Sequence, residues 1–181
     1  MSNRRTILLV AVLALLGAVC VVAVKGERAT DRSFNRYAVQ IDTAKVSSIT
    51  IERPNNDTVI NLAKVGADWF VAVPTGNIDA NGQQVYELLS FLSGTCINRK
   101  MSNSDKVWQQ YGVTEQAGIR VLVRDKSRTL ADFYCGTVSF DAQTQQLWTY
   151  IRNADDSNVY SVDGYFNLVV SKPFAFWIRK F

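Results

Sequence analysis

"ADWFVAVPTGNIDANGQQVYELLSFLSG", residues 67–94, changes periodicity halfway along. Trp69, Val71 and Val73 alternate with their neighbours, the period-two pattern of a half-buried strand, and Pro74 and Gly76 break it. Asn81 then stands where a side chain can accept backbone N–H groups one turn on. Val85, Leu88, Leu89 and Leu92 follow at i, i+3, i+4 and i+7, a single helical face. Gly94 suits a left-handed residue after the helix. The stretch predicts a strand followed by a helix whose apolar stripe covers a sheet. Nothing in it forms a nucleophile–base pair or a set of metal ligands.

Working outward, "SSITIERP" (47–54) places Ile49 and Ile51 on one face, and "TVINLAKV" (58–65) answers with Ile60 and Leu62 across a Pro54-Asn55-Asn56-Asp57 turn. Connections this short permit only antiparallel pairing. Downstream, "NSDKVWQQYGVTEQAG" (103–118) predicts a short helical turn capped by Asn103 or Ser104, carrying Val107, Trp108 and Tyr111 and ended by Gly112. A second cycle follows. "GIRVLVRD", "TLADFYCG", "LWTYIRN" and "NVYSVDG" read as strands, and "YFNLVVSK" as a short helix presenting Phe166, Val169 and Val170. The expected fold class is α+β: an antiparallel β-sheet domain with helices on one face, built either as a ββ(β)α pseudo-repeat or as one sheet with two inserted helices.

The first 25 residues pose a different problem. Arg4 and Arg5 precede an unbroken apolar run from Ile7 to Val24 that Lys25 closes. Eighteen residues at about 1.5 Å each span roughly 27 Å, close to the hydrocarbon thickness of a bilayer. A cleaved leader, with Val21-Val22-Ala23 as its cleavage site, is one reading. The length of the run favours the other, an uncleaved transmembrane helix. The organisation expected is a cytoplasmic tail at 1–6, an anchor at 7–24, a juxtamembrane tether at 25–37 and an extracytoplasmic domain at 38–181. The positive-inside rule places Arg4 and Arg5 in the cytoplasm, and so predicts a single-pass inner-membrane protein with a periplasmic C-terminal domain. Cys20 reads as a lipid-facing or helix-facing residue, because Val19 is too bulky for a lipoprotein cleavage site.

Composition narrows the chemistry. The 181 residues contain no histidine, which removes Ser-His-Asp and Cys-His catalysis and His-ligated metal or haem. A formal net charge of +4, half of it from Arg4 and Arg5, is too mild and too dispersed for nucleic acid. No glycine-rich phosphate loop is present. Asp155-Asp156 reads as a solvated turn, and no catalytic residue, cofactor or metal site is assigned. Cys96 and Cys135 would be free to form a disulfide in an oxidising compartment, closing a loop of about 40 residues worth roughly 3–4 kcal/mol. Against that, Cys135 alternates with Phe133 as a small buried hydrophobe would. The closing segment "SKPFAFWIRKF" mixes Phe174, Phe176, Trp177 and Phe181 with Arg179 and Lys180. These six residues are a candidate partner interface, with burial as a core-closing strand or turn, or contact with a membrane surface, as the alternatives.

Several pieces together resemble the bacterial family known as the domain of unknown function DUF4340: the strand Trp69 to Pro74, the stripe Val85 to Leu92, Tyr111-Gly112-Val113, Gly136, Tyr150 to Arg152 and Val159 to Val162. The resemblance covers roughly residues 45–180. It implies anchoring by an N-terminal helix and an auxiliary role in transport or gliding systems, and it transfers no catalytic residue. The expected function is that of a non-catalytic accessory or scaffold subunit of a multi-subunit membrane complex, in a transport, secretion or gliding, electron-transfer or photosynthetic assembly. Its expected partners are integral membrane subunits and lipid along the anchor, and an extracytoplasmic protein against the domain. The alternative is a tethered module binding a small ligand or envelope polymer in a pocket walled by Trp69, Trp108 or Trp148.

Overall fold

The structure is a computed structural model that describes residues 37–54 and 59–180. Ten strands form one sheet: β1 (Tyr37–Val39), β2 (Ser48–Glu52), β3 (Ile60–Val65), β4 (Asp68–Val73), β5 (Gly76–Asp79), β6 (Thr95–Ser102), β7 (Ile119–Asp125), β8 (Arg128–Asp141), β9 (Gln146–Asn153) and β10 (Val159–Asp163). The helices are α1 (Gly82–Ser93), α2 (Trp108–Tyr111), α3 (Phe166–Val170) and α4 (Phe174–Trp177). Strand order is β1-β6-β10-β9-β8-β7-β2-β3-β4-β5, with antiparallel pairing throughout.

This order contains an internal symmetry. β2 to β5 form one four-stranded meander and β7 to β10 another, joined where β2 pairs with β7 through Ile49↔Val123 and Ile51↔Val121. A helix follows each meander. α1 carries the chain from β5 to β6, which pairs with β10. α3 and α4 carry it from β10 back to Ile178, which bridges Ala80 at the end of β5. Each half thus lends a segment to the outer edge of the other. The structure is a single ten-stranded sheet in which two four-stranded meanders, each followed by a helix, supply eight strands and β1 and β6 the rest.

The alternating rows explain which face is covered. Ile49, Ile51, Ile60, Leu62, Val71, Val121, Val123, Phe133, Ile151 and Val162 are buried in one core with Val85, Leu88 and Leu92 of α1 and Phe166, Val169 and Val170 of α3. Each such aliphatic side chain contributes about 1.5–3 kcal/mol on burial. A smaller cluster on the opposite face gathers Val113, Tyr134 and Val159 under Trp108, Tyr111 and Tyr150.

Four readings change. β5 is a strand where Pro74 and Gly76 read as an ending. Pro74 only turns the chain, and Gly76 at φ 139° starts the return. β6 pairs with β10 even though Asn98, Arg99 and Lys100 interrupt any apolar alternation. β8 does not stop at Gly136 but passes through a bulge between Cys135 and Val138 and runs on to Asp141. Gly94 is extended at φ 176° rather than left-handed. Asn81 does sit at the helix N-cap, but its side chain makes no capping bond. Its backbone N–H donates to the Trp177 carbonyl at 2.7 Å.

Among the described residues no helix is long and apolar enough to cross a membrane. The expected tail 1–6, the anchor 7–24 and the tether up to residue 36 lie outside the described residues, as does Phe181.

Candidate docking surface

The closing segment divides between core and surface. Trp177 is fully buried and its indole N–H donates to the Lys172 carbonyl at 3.3 Å. Phe174 and Phe176 pack half-buried against the same core, and the Arg179 N–H donates to the Asp79 carbonyl at 2.8 Å. Trp177 is therefore a core residue, with its carbonyl accepting from the Asn81 N–H between β5 and α1. Arg179 and Lys180 remain exposed. They border a cleft of about 650 Å³ with Asp68, Trp69, Asp79 and Asn81.

Cys96 and Cys135 are both free thiols. β10 and β9 lie between their strands, a lateral separation of roughly 14 Å at about 4.8 Å per strand. A disulfide tolerates a Cα separation of only about 7 Å, so these two cannot join without rearranging the sheet. Burial pushes the Cys135 thiol far up, so the small-hydrophobe reading describes it.

Carboxylates are held by local partners. The Gln143 and Thr144 N–H groups hold Asp141 below the usual carboxylate range, and Lys45 with the Ala44 N–H does the same for Asp42. Asp132 takes a two-pronged contact from Arg120, at 2.9 Å to Nε and 2.7 Å to Nη2, with Glu52 at 3.5 Å on the same guanidinium. Asp156 caps its own turn through the Asn158 N–H at 3.0 Å. Among the described residues no group of three His, Cys, Asp or Glu side chains gathers as metal ligands would.

Arg152, which ends the Tyr150 to Arg152 piece of the family resemblance, has a structural role that its sequence pattern does not reveal. It is 2% exposed and its guanidinium lies 3.8 Å from the Trp108 ring centroid and 4.5 Å from that of Tyr134. Nε donates to the Val113 carbonyl at 3.0 Å, and Nη1 reaches the carbonyls of Asn153, Ala154 and Asp156. A further signal is in "LWTYIRN", where alternation puts Trp148, Tyr150 and Arg152 on one face. The group ties the α2 segment and the turn at 154–158 to the sheet.

The core leaves other large apolar side chains outside, Val59, Val65 and Ile78 around the first meander among them. Tyr86 is 70% exposed, Phe140 60%, Leu168 47% and Tyr165 45%. Tyr86 on α1 and Tyr165 before α3 share a depression with Cys96 at the start of β6. Leu168 on α3 shares another with Val138, and Phe140 lies two residues further along the β8–β9 arm. The Tyr165 hydroxyl donates to Glu87 at 3.2 Å and its ring meets Phe91 edge-on, which holds it outward.

An antiparallel sheet with α1 and α3 on one face and the short α2 on the other defines an α+β domain. The chain belongs to the family described as "Domain of unknown function (DUF4340)", whose model matches residues 69–181. The match begins at Trp69, so β2 and β3 precede it. No curated protein and no solved structure matches the chain.

Proposed function

We propose that this chain is a non-catalytic accessory or scaffold subunit of a multi-subunit membrane complex. The segment 7–24 would anchor it in the inner membrane, with the N-terminus cytoplasmic and the domain braced against a partner on the extracytoplasmic side. The observation that carries this reading is the exposed set of Tyr86, Tyr165, Leu168 and Phe140. Scattered apolar residues are ordinary on a surface, but large aromatic ones held outward beside shallow depressions resemble interface anchors. Tethering raises the local concentration of such a domain, so a modest interface suffices. The assembly served is of the transport, secretion or gliding, or electron-transfer or photosynthetic kind.

Mild-detergent purification of the tagged chain from its native membrane, followed by mass spectrometry, tests this reading. Other subunits should elute with it in fixed ratio. A monomeric chain recovered alone contradicts it. The Trp69 cleft favours a second reading, a tethered module for a small ligand or envelope polymer, because Arg179, Lys180, Asp68 and Asn81 converge beside an aromatic wall there.

A further inference from the structure

Asn81-Gly82 is the one Asn-Gly pair in the 181 residues, and it stands where α1 begins. A glycine after an asparagine leaves the amide carbon Cγ open to attack by the next backbone nitrogen, because no Cβ shields that nitrogen. The fold adds to this exposure. A cap asparagine ordinarily accepts backbone N–H groups of the first turn and is held by them. The Asn81 side chain makes no such bond. Gly82 is exposed, and nothing lies within 4 Å of where a Cβ would stand.

The attacking nitrogen is equally accessible. Gly82 is the first residue of α1, so its N–H belongs to the turn that lacks intrahelical acceptors. The partial positive charge of a helix N-terminus favours loss of a proton from that nitrogen. Both residues line the cleft beside Trp69, where Arg179 and Lys180 add positive charge. Other asparagines are engaged. Asn61 accepts from the Thr50 hydroxyl at 3.0 Å, Asn158 donates to Asp156 at 3.0 Å, and Asn167 donates to the Gly136 carbonyl. Bulkier Leu62, Val159 and Leu168 follow them.

We propose that Asn81 is a site of spontaneous covalent modification, deamidation to aspartate and isoaspartate. The Gly82 nitrogen bonds to Asn81 Cγ, the Cγ–Nδ2 bond breaks, and the displaced nitrogen takes the Gly82 proton and leaves as ammonia. Water then opens the cyclic imide. Opening at Cγ gives aspartate, and opening at the main-chain carbonyl gives isoaspartate, whose backbone runs through the side chain. Main-chain bonds set the pace. The Asn81 N–H donates to the Trp177 carbonyl at 2.7 Å, and the Asn81 carbonyl accepts from Gln84 and Val85 at 3.0 and 3.1 Å, with ψ at 100°. The reaction therefore proceeds as the first turn of α1 frays. An aspartate there sets a carboxylate at the helix N-terminus, which the macrodipole favours. Isoaspartate lengthens the chain between the Trp177 bond and α1 and loosens that join. This inference goes beyond both functional readings and depends on neither.

The test incubates the full chain in detergent micelles at mildly alkaline pH in heavy-oxygen water. Peptide mass mapping then reads each asparagine, and methylation by an isoaspartate methyltransferase reads the rearranged product. Asn81 should gain the mass of the acid and the heavy oxygen ahead of every other described asparagine, with isoaspartate among the products. Gly82→Ala should slow the conversion several-fold while the fold stands, since its added Cβ meets no neighbour. Urea below the unfolding transition should speed it. An Asn81 that stays an amide in the native chain, or converts equally fast in Gly82→Ala, would overturn the proposal. So would aspartate formed without isoaspartate, which bypasses the imide. Conversion seen only in the unfolded chain would overturn it too, because the cap would then protect the pair.

Discussion

Arg152 carries a buried charge that pairs with no carboxylate among the described residues. Two aromatic faces and four carbonyl groups take that part, and burial pulls its titration down from the ordinary arginine range. Removing the side chain strands those carbonyls and opens a gap between Trp108 and Tyr134. Arg152→Met should cost about 3 kcal/mol in urea unfolding, and Arg152→Lys nearly as much, because an ammonium is neither planar nor forked. A loss below about 1 kcal/mol would show that the stack is ornamental. Gly136 is a second single-residue constraint. A Cβ there would meet the Tyr111 carbonyl and sit 2.6 Å from Val113 Cγ1. Gly136→Ala should therefore cost about 1–3 kcal/mol. Neither role is legible from composition or periodicity, since each depends on the 108–113 segment folding back over β8 and β9, a contact between residues far apart in sequence.

At the scale of elements, helix α1 is legible because its stripe repeats over two turns, and Leu88 is fully buried under it. Leu88→Ala should destabilise by about 2–5 kcal/mol, read from the same unfolding curve. β5 and β6 escape a periodicity reading because they are edge or near-edge strands. They show little of the two-faced burial that makes alternation visible, and β5 is exposed along its whole length. The β8–β9 arm ends in a turn that Asp141 holds through the N–H groups of Gln143, at 2.8 Å, and Thr144. Its carboxyl is depressed, so its contribution is full above the unfolded value of about 3.9 and is lost as pH falls through the folded value. An NMR titration should show the Gln143 amide moving with a midpoint below that of a free aspartate, and Asp141→Asn should abolish the movement. A midpoint at or above the free value would contradict the capping role.

The whole molecule from Tyr37 onward is two meanders, each closed by a segment that the other half sends across. This arrangement leaves the two outer edges unequal. Ile178 gives the β5 end a single bridge at Ala80, whereas at the other end, among the described residues, β1 covers β6 only at Thr95 and Cys96. The repeat is partly legible from the order of strands and helices. The exchange is not, because it requires knowing that α1 spans the sheet rather than returning beside β5. The proposed site is the least legible part. The aromatic, basic C-terminus stands out in sequence as a surface, yet its tryptophan closes the core, while the exposed Tyr86, Tyr165, Leu168 and Phe140 are spread over three elements and acquire meaning only once folded. Amide hydrogen exchange of the chain alone and within its native membrane assembly tests the central claim most directly. Docking predicts slowed exchange on assembly in α1, α3 and the β8–β9 arm around those four side chains. Unchanged exchange there, with protection confined to the Trp69 cleft, would contradict the scaffold reading and favour a ligand-binding module.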